Sequence, residues 1–105
     1  MPRFAVYRNK NLRSSGVFPL LVDVQADLFE DLASRVVIPL SQSTALCDFP
    51  LGYLMPTVSF EGATYVLMTP QLAGMARPDL GPHIGSLSDQ ESTICRAIDF
   101  LLQGF

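Results

Sequence analysis

Clear helical periodicity appears once in this chain, at its end, and that limits what the rest can be. The stretch Leu87–Phe105, LSDQESTICRAIDFLLQGF, places Ile94, Ile98, Leu101 and Phe105 at helical spacing on one narrow face. Cys95 and Leu102 widen that face on one side and Ala97 on the other, while Ser92, Arg96, Asp99 and Gln103 fall opposite. Ser88 with Glu91 three residues on has the form of a capping box, and Asp89 and Glu91 put negative charge where the helix dipole favours it. Gly104 supplies a stop. Pattern alone favours packing of Phe105 beneath its own helix, the common fate of an apolar helix end. The other reading presents Gln103, the last carbonyls and Phe105 to a partner.

Upstream the pattern is that of strands. Arg3–Arg8 alternates, with Phe4 and Val6 on one side and Ala5 and Tyr7 on the other, and Phe18–Val24 resumes the pattern after the basic loop Asn9–Gly16. A hairpin joins them. Gln25–Ser34 is too short for a stable helix and reads as a loop or a single turn. Within it Leu28 and Phe29 are adjacent, so they do not both turn readily into one core. Arg35–Leu40 is a strand that Pro39 assigns to an edge or a bulge. Thr44–Cys47 is a weak strand, Asp48–Pro56 a turn-rich connection, and Thr57–Phe60 with Thr64–Met68 a hairpin around Glu61-Gly62-Ala63. Thr69–Ala76 suits a short helical turn with Pro70 at its first position. Pro78–Pro82 is loop, and His83–Leu87 adds a last strand. Short antiparallel strands followed by one terminal helix define an α+β domain, the helix packed on a curved sheet or small barrel.

The 105 residues form one expected domain, 1–105. Hydrophobic residues make up 49% and charged residues 16%, a low charge content that suggests apolar surface hidden in a homodimer. A net charge of −3 argues against direct nucleic-acid binding, which needs a cationic footprint. No run suits a membrane span or a signal peptide, so a cytoplasmic protein is expected. Cys47 and Cys95, far apart and in apolar contexts, read as buried thiols.

Catalytic and cofactor signatures are missing from the sequence. Gly74, Gly81 and Gly85 match no phosphate-binding pattern. His83 has no second ligand at metal spacing, and a Cys95–His83 pair is disfavoured because Cys95 sits mid-helix beside the core face. Asp23, Asp27, Glu30 and Asp31 form an acidic patch that reads as a solvated loop. Gln25 cannot act as acid or base. No catalytic residue, metal or cofactor is expected: the residues describe a non-catalytic dimeric binding module.

Several stretches resemble the CcdB family, the toxins of toxin–antitoxin pairs that poison DNA gyrase. They are Phe4-Ala5-Val6-Tyr7, Phe18 through Leu28 as FPLLVDVQADL, Arg35 through Leu40 as RVVIPL, Tyr53 through Val58, Val66 through Thr69, and Asp99 through Phe105. The pairing of VDVQ-x-D-L with R-x-VIPL is the most specific of these. The resemblance implies an SH3-like antiparallel barrel with an extra short sheet and a C-terminal helix, assembled as a homodimer. It implies binding to the A subunit of DNA gyrase, trapping of the gyrase–DNA cleavage complex, and no catalytic residue. The family's gyrase-contacting positions fall on Leu28, Phe29, Asp99, Gln103, Gly104 and Phe105. A cognate antitoxin with a disordered acidic or amphipathic C-terminal segment is expected to bind the basic loop around Arg8, Lys10 and Arg13 with the adjacent sheet face, and the pair to repress its own operon with the antitoxin supplying the DNA contacts.

Three positions depart from the family's best-known member, which has a tryptophan at the position of Gln103, an aliphatic residue at Phe105 and an asparagine at Asp99. Loss of an aromatic anchor puts the target in question. Two alternatives follow. One is an endoribonuclease of the MazF/Kid type, which shares the fold and would need a basic or histidine-bearing groove. The other is a diverged member that binds antitoxin without toxicity.

Overall fold

The computed structural model describes residues 2–29, 31–42 and 52–104. The strand expected at Thr44–Cys47, the start of the Asp48–Pro56 connection, Glu30 and Phe105 lie outside the described residues. The elements are β1 Ala5–Asn9, β2 Leu20–Asp23, β3 Ser34–Ser41, β4 Thr57–Phe60, β5 Ala63–Leu67, β6 Ala73–Ala76, β7 Leu80–Ser86 and α1 Glu91–Gln103. All the strand pairings are antiparallel, in the order β4-β5-β3-β2-β1-β7, with β6 also paired to β3. The sheet curls into a half-barrel with the helix at the end of the chain, as the α+β reading expects. The additional short sheet is continuous with the main one: among the described residues, β4 and β5 form an arm whose β5 pairs with β3 at Leu40 and Ser41.

The curl brings the outermost strands together. A Cβ on Gly85 of β7 would lie 2.6 Å from the Phe60 ring of β4, so glycine at that point lets the two ends of the sheet approach. Register shifts in the β1–β7 pairing, on either side of Tyr7, add to the curvature. The β4–β5 hairpin turns through Glu61 and Gly62, both at positive φ, which matches the twist of a two-residue connection.

Strand alternation sorts the buried residues onto two faces. Val6, Leu20, Val22, Ile38 and Leu40 join Phe4, Val58, Phe60, Leu67, Leu87, Ile94 and Ala97 in the main core, over which α1 lies. Ala5, Tyr7, Leu21, Val37 and Leu80 form a second, smaller cluster with Met75 of β6 against it. Asp23 and Arg35 keep step with that second face and are fully buried. Burial pushes the Tyr7 hydroxyl above its ordinary pKa, the negative charge of Asp23 adds to this, and Arg35 and Arg77 oppose it.

Three local expectations are corrected. Pro39 does not mark an edge, because β3 is central, with β2 on one side and β5 and β6 on the other. Pro39 pairs with Leu21 at a position that exchanges no bonds with β2, and its carbonyl instead accepts the Met68 N–H at 2.9 Å. The missing N–H therefore falls where the neighbour of β3 changes from β6, paired with β3 as far as Val37, to β5, paired with β3 from Leu40. The segment read as a helical turn divides: Thr69–Gln71 is a 3-10 turn, but Ala73–Ala76 is β6. The capping box does not form. Ser88–Gln90 is a separate 3-10 turn, α1 begins at Glu91, and Gln90 precedes it without a side-chain cap.

Candidate protein-interaction site

The turn between β2 and β3 displays apolar surface. Leu28 is 85% exposed and Phe29 50%, and Leu32 just beyond is also exposed. No residue of the 3-10 turn Asp27–Phe29 is buried, so hydrophobic burial does not hold it in place. Polar contacts do. Arg35 Nε donates to Asp23 Oδ2 at 2.6 Å, with both side chains fully inside. Asp23 Oδ1 accepts the Gln25 N–H at 3.0 Å. The Gln25 side chain then spans the loop: its Nε2 donates to the Phe29 carbonyl at 2.7 Å, and its Oε1 accepts the Val36 N–H at 3.1 Å. On the outer side, Asp27 Oδ1 accepts the Arg3 N–H at 2.7 Å, and Arg3 Nε donates to the Val24 carbonyl at 3.0 Å.

These contacts account for the VDVQ-x-D and R-x-VIPL residues as the frame of the turn. They also break up the expected acidic patch: Asp23 is an interior ion-pair partner, Asp27 is engaged with Arg3, Asp31 is exposed, and Glu30 lies outside the described residues.

The second display is the end of α1. Ile94 and Ala97 are buried and Cys95 and Ile98 pack at the core's margin, as the periodicity anticipates. Leu101 does not continue that face: it is exposed, and Leu102 is 73% exposed. The last turn of the helix thus extends beyond the core. Asp99, Gln103 and Gly104 lie there too, all three exposed, while Phe105 lies outside the described residues. Gly104 adopts the left-handed conformation at φ 79° and donates its N–H to the Phe100 carbonyl at 2.8 Å, closing the helix as expected.

The start of the same helix is fixed by a second glutamine. Gln90 Nε2 donates to the Ser59 carbonyl at 2.7 Å and its Oε1 accepts the Ser59 N–H at 2.9 Å, so a side-chain amide occupies the outer edge of β4. The two displays are therefore anchored to different parts of the sheet. The Leu28–Phe29 turn is tied to β3 and to the segment before β1, and α1 is tied to β4.

The basic loop is a third surface. Arg8, Lys10 and Arg13 are exposed, and Leu12 between the last two is 93% exposed. The loop is structured by the buried Asn9, whose Nδ2 donates to Ser14 Oγ and the Phe18 carbonyl and whose Oδ1 accepts the Asn11 N–H. A groove of about 400 Å³ beside it is lined by Lys10, Asn11, Met75 and Asp79. Sequence reasoning passed over Leu12, assigned Leu101 and Leu102 to the apolar face of the helix where the structure exposes them, and dismissed Gln25 because only acid–base chemistry was sought. Adjacency to Lys10 and Arg13 was the available signal for Leu12.

His83 and Cys95 do not come together. The His83 ring lies 5.3 Å from that of Tyr7, with Nε2 2.9 Å from the Gly85 carbonyl, whereas Cys95 packs on the main core. Among the described residues no group of three or more His, Cys, Asp or Glu side chains could hold a metal ion. No described helix is long and apolar enough to cross a membrane.

The fold is thus a small α+β half-barrel that holds out two apolar elements, the Leu28–Phe29 turn and the last turn of α1. Residues 3–104 match the family model described as CcdB protein, and the chain belongs to that family. Membership makes it the toxin member of a toxin–antitoxin system.

Proposed function

We propose that the protein, as a homodimer, binds DNA gyrase through its A subunit, trapping the gyrase–DNA cleavage complex. It does so without chemistry of its own, in the cytoplasm where gyrase acts. The contacts are Leu28 and Phe29 on the β2–β3 turn and Asp99, Gln103, Gly104 and Phe105 at the end of α1. The observation that carries this reading is the braced exposure of Leu28 and Phe29: a polar framework holds Leu28 largely and Phe29 half in water. Full burial of an exposed side chain such as Leu28 would contribute about 1.5–3 kcal/mol, and the remainder of Phe29 a part of that. A cognate antitoxin neutralises the toxin through Arg8, Lys10 and Arg13, and the pair represses its operon with the antitoxin holding the DNA.

Gln103 favours one second reading, that of a family member that binds antitoxin alone, since an aromatic anchor at such a position contributes about 2 kcal/mol or more to binding. A paired experiment separates the two. Thermal unfolding, light scattering and binding to a gyrase fragment containing the dimerisation region are measured for the wild type and for a variant lacking residues 103–105. The truncated protein is expected to stay folded and dimeric with nearly unchanged melting, yet to lose gyrase binding. Parallel loss of stability and binding assigns Phe105 to the core. Wild-type protein that neither binds the gyrase fragment nor accumulates cleavage complexes overturns the gyrase reading in favour of the second.

A further inference from the structure

We propose that Gln25 is the positioning residue of the target contact: its side-chain amide fixes the orientation in which the Leu28–Phe29 turn meets its partner. The inference rests on the reading that this turn is a target contact. The turn closes on itself through Phe29 N–H to the Ala26 carbonyl and Leu32 N–H to the Phe29 carbonyl, so its shape is local. Its attachment to the sheet is a separate matter. Gln25 is buried, and one amide joins the Phe29 carbonyl on the turn to the Val36 N–H on β3. Its own N–H is held by Asp23, which Arg35 fixes in turn.

The position calls for a donor and an acceptor on one rigid group at this distance. An ionised glutamate lacks the donor, an aliphatic residue lacks both, and asparagine is one methylene too short. Without the strut the turn keeps its shape but swings on its remaining tie, Asp27 to the Arg3 N–H. A partner then has to order it on binding, and affinity falls.

The test uses the full chain carrying Gln25→Met, with Gln25→Asn as a second variant that keeps the amide but shortens its reach. Each is also made in a Leu28→Ser/Phe29→Ser background. Amide hydrogen exchange, melting and binding to the gyrase fragment are read together. Exchange at Val36, whose N–H bonds the Gln25 side chain, is expected to rise about tenfold or more while Val6 and Val22 stay protected. Affinity is expected to fall about tenfold, with no further loss in the Leu28→Ser/Phe29→Ser background.

Unchanged exchange at Val36 overturns the strut. Raised exchange with wild-type affinity, or a loss that persists in the double-serine background, overturns the positioning role. Wild-type binding by the double-serine variant overturns the target-contact reading instead, and the exchange rates tell that failure apart from failure of the strut.

Discussion

Asp23 and Arg35 put opposite charges at inward positions of neighbouring strands, with Nε and Oδ2 2.6 Å apart and no exposure on either side chain. Such a pair offers little net gain over an apolar one, because desolvation offsets most of the attraction. Removing one partner is different, since it strips an interior charge of the opposite charge 2.6 Å away. Asp23→Leu is expected to lower unfolding stability by about 3–5 kcal/mol in chemical denaturation, with Arg35→Met close behind. The double substitution is expected to lie nearer the wild type than either single change; a double-mutant cycle with additive losses would show that the pair is not coupled. Both residues were visible in the sequence, each at the end of an alternating run, in VDVQ and in R-x-VIPL. Periodicity shows which residues share a side of a strand; it is the structure that puts this carboxylate and this guanidinium inward. Nor does periodicity show that two inward charges meet, because that depends on the register between β2 and β3. Reading Asp23 as part of a solvated patch followed from its acidic neighbours and was wrong for that reason.

At the scale of elements, the sequence was legible wherever one local signal decided the outcome. Alternation located β1 to β5, the Glu61-Gly62 turn located the hairpin, and Gly104 located the end of α1. Elements settled by distant contacts were not legible. Ala73–Ala76 has no side chains that demand a strand; it is one because the outer edge of β3 between Ser34 and Val37 needs a partner. Leu101 has the correct helical spacing but lies past the region where the sheet can cover it. The capping box failed for a similar reason. A 3-10 turn occupies Ser88–Gln90, and the helix is secured by Gln90 reaching across to Ser59. The two accounts of the helix start predict opposite rankings. A capping box makes Ser88→Ala cost about 1 kcal/mol. The contacts observed make Ser88→Ala nearly neutral, and make Gln90→Ala cost about 1–2 kcal/mol, because both backbone groups of Ser59 lose their partner. Thermal melts of the two variants measure the ranking directly, and a larger loss for Ser88→Ala would restore the capping box.

Across the whole molecule, charge is unevenly spread. The chain is acidic overall, with a net charge of −3, yet Arg8 near the end of β1 and Lys10 and Arg13 in the loop that follows crowd together. The sequence identified this loop by composition. What it did not reveal is that the loop is ordered: the side-chain bonds of Asn9 hold it as a fixed turn, with Leu12 outward between Lys10 and Arg13. A rigid cationic loop with an apolar tip suits a disordered acidic segment that carries an apolar residue of its own. The charges speed the encounter, and the leucine adds contact that salt does not screen. The proposed antitoxin complex should therefore respond separately to the two kinds of change. Lys10→Glu with Arg13→Glu is expected to weaken antitoxin binding about tenfold or more at low salt and to flatten its salt dependence. Leu12→Ser is expected to weaken binding by a similar factor at low and high salt alike, leaving the slope unchanged. Neither change should move the melting temperature by more than a degree or two, because all three side chains lie in solvent. The surface is also distinct from the Leu28–Phe29 turn, so gyrase binding by both variants should match the wild type. Titration of the antitoxin segment at two salt concentrations, beside the same gyrase-fragment assay, reads all of these outcomes. Unchanged antitoxin affinity at both concentrations in the charge-reversed variant would remove this loop from the antitoxin interface.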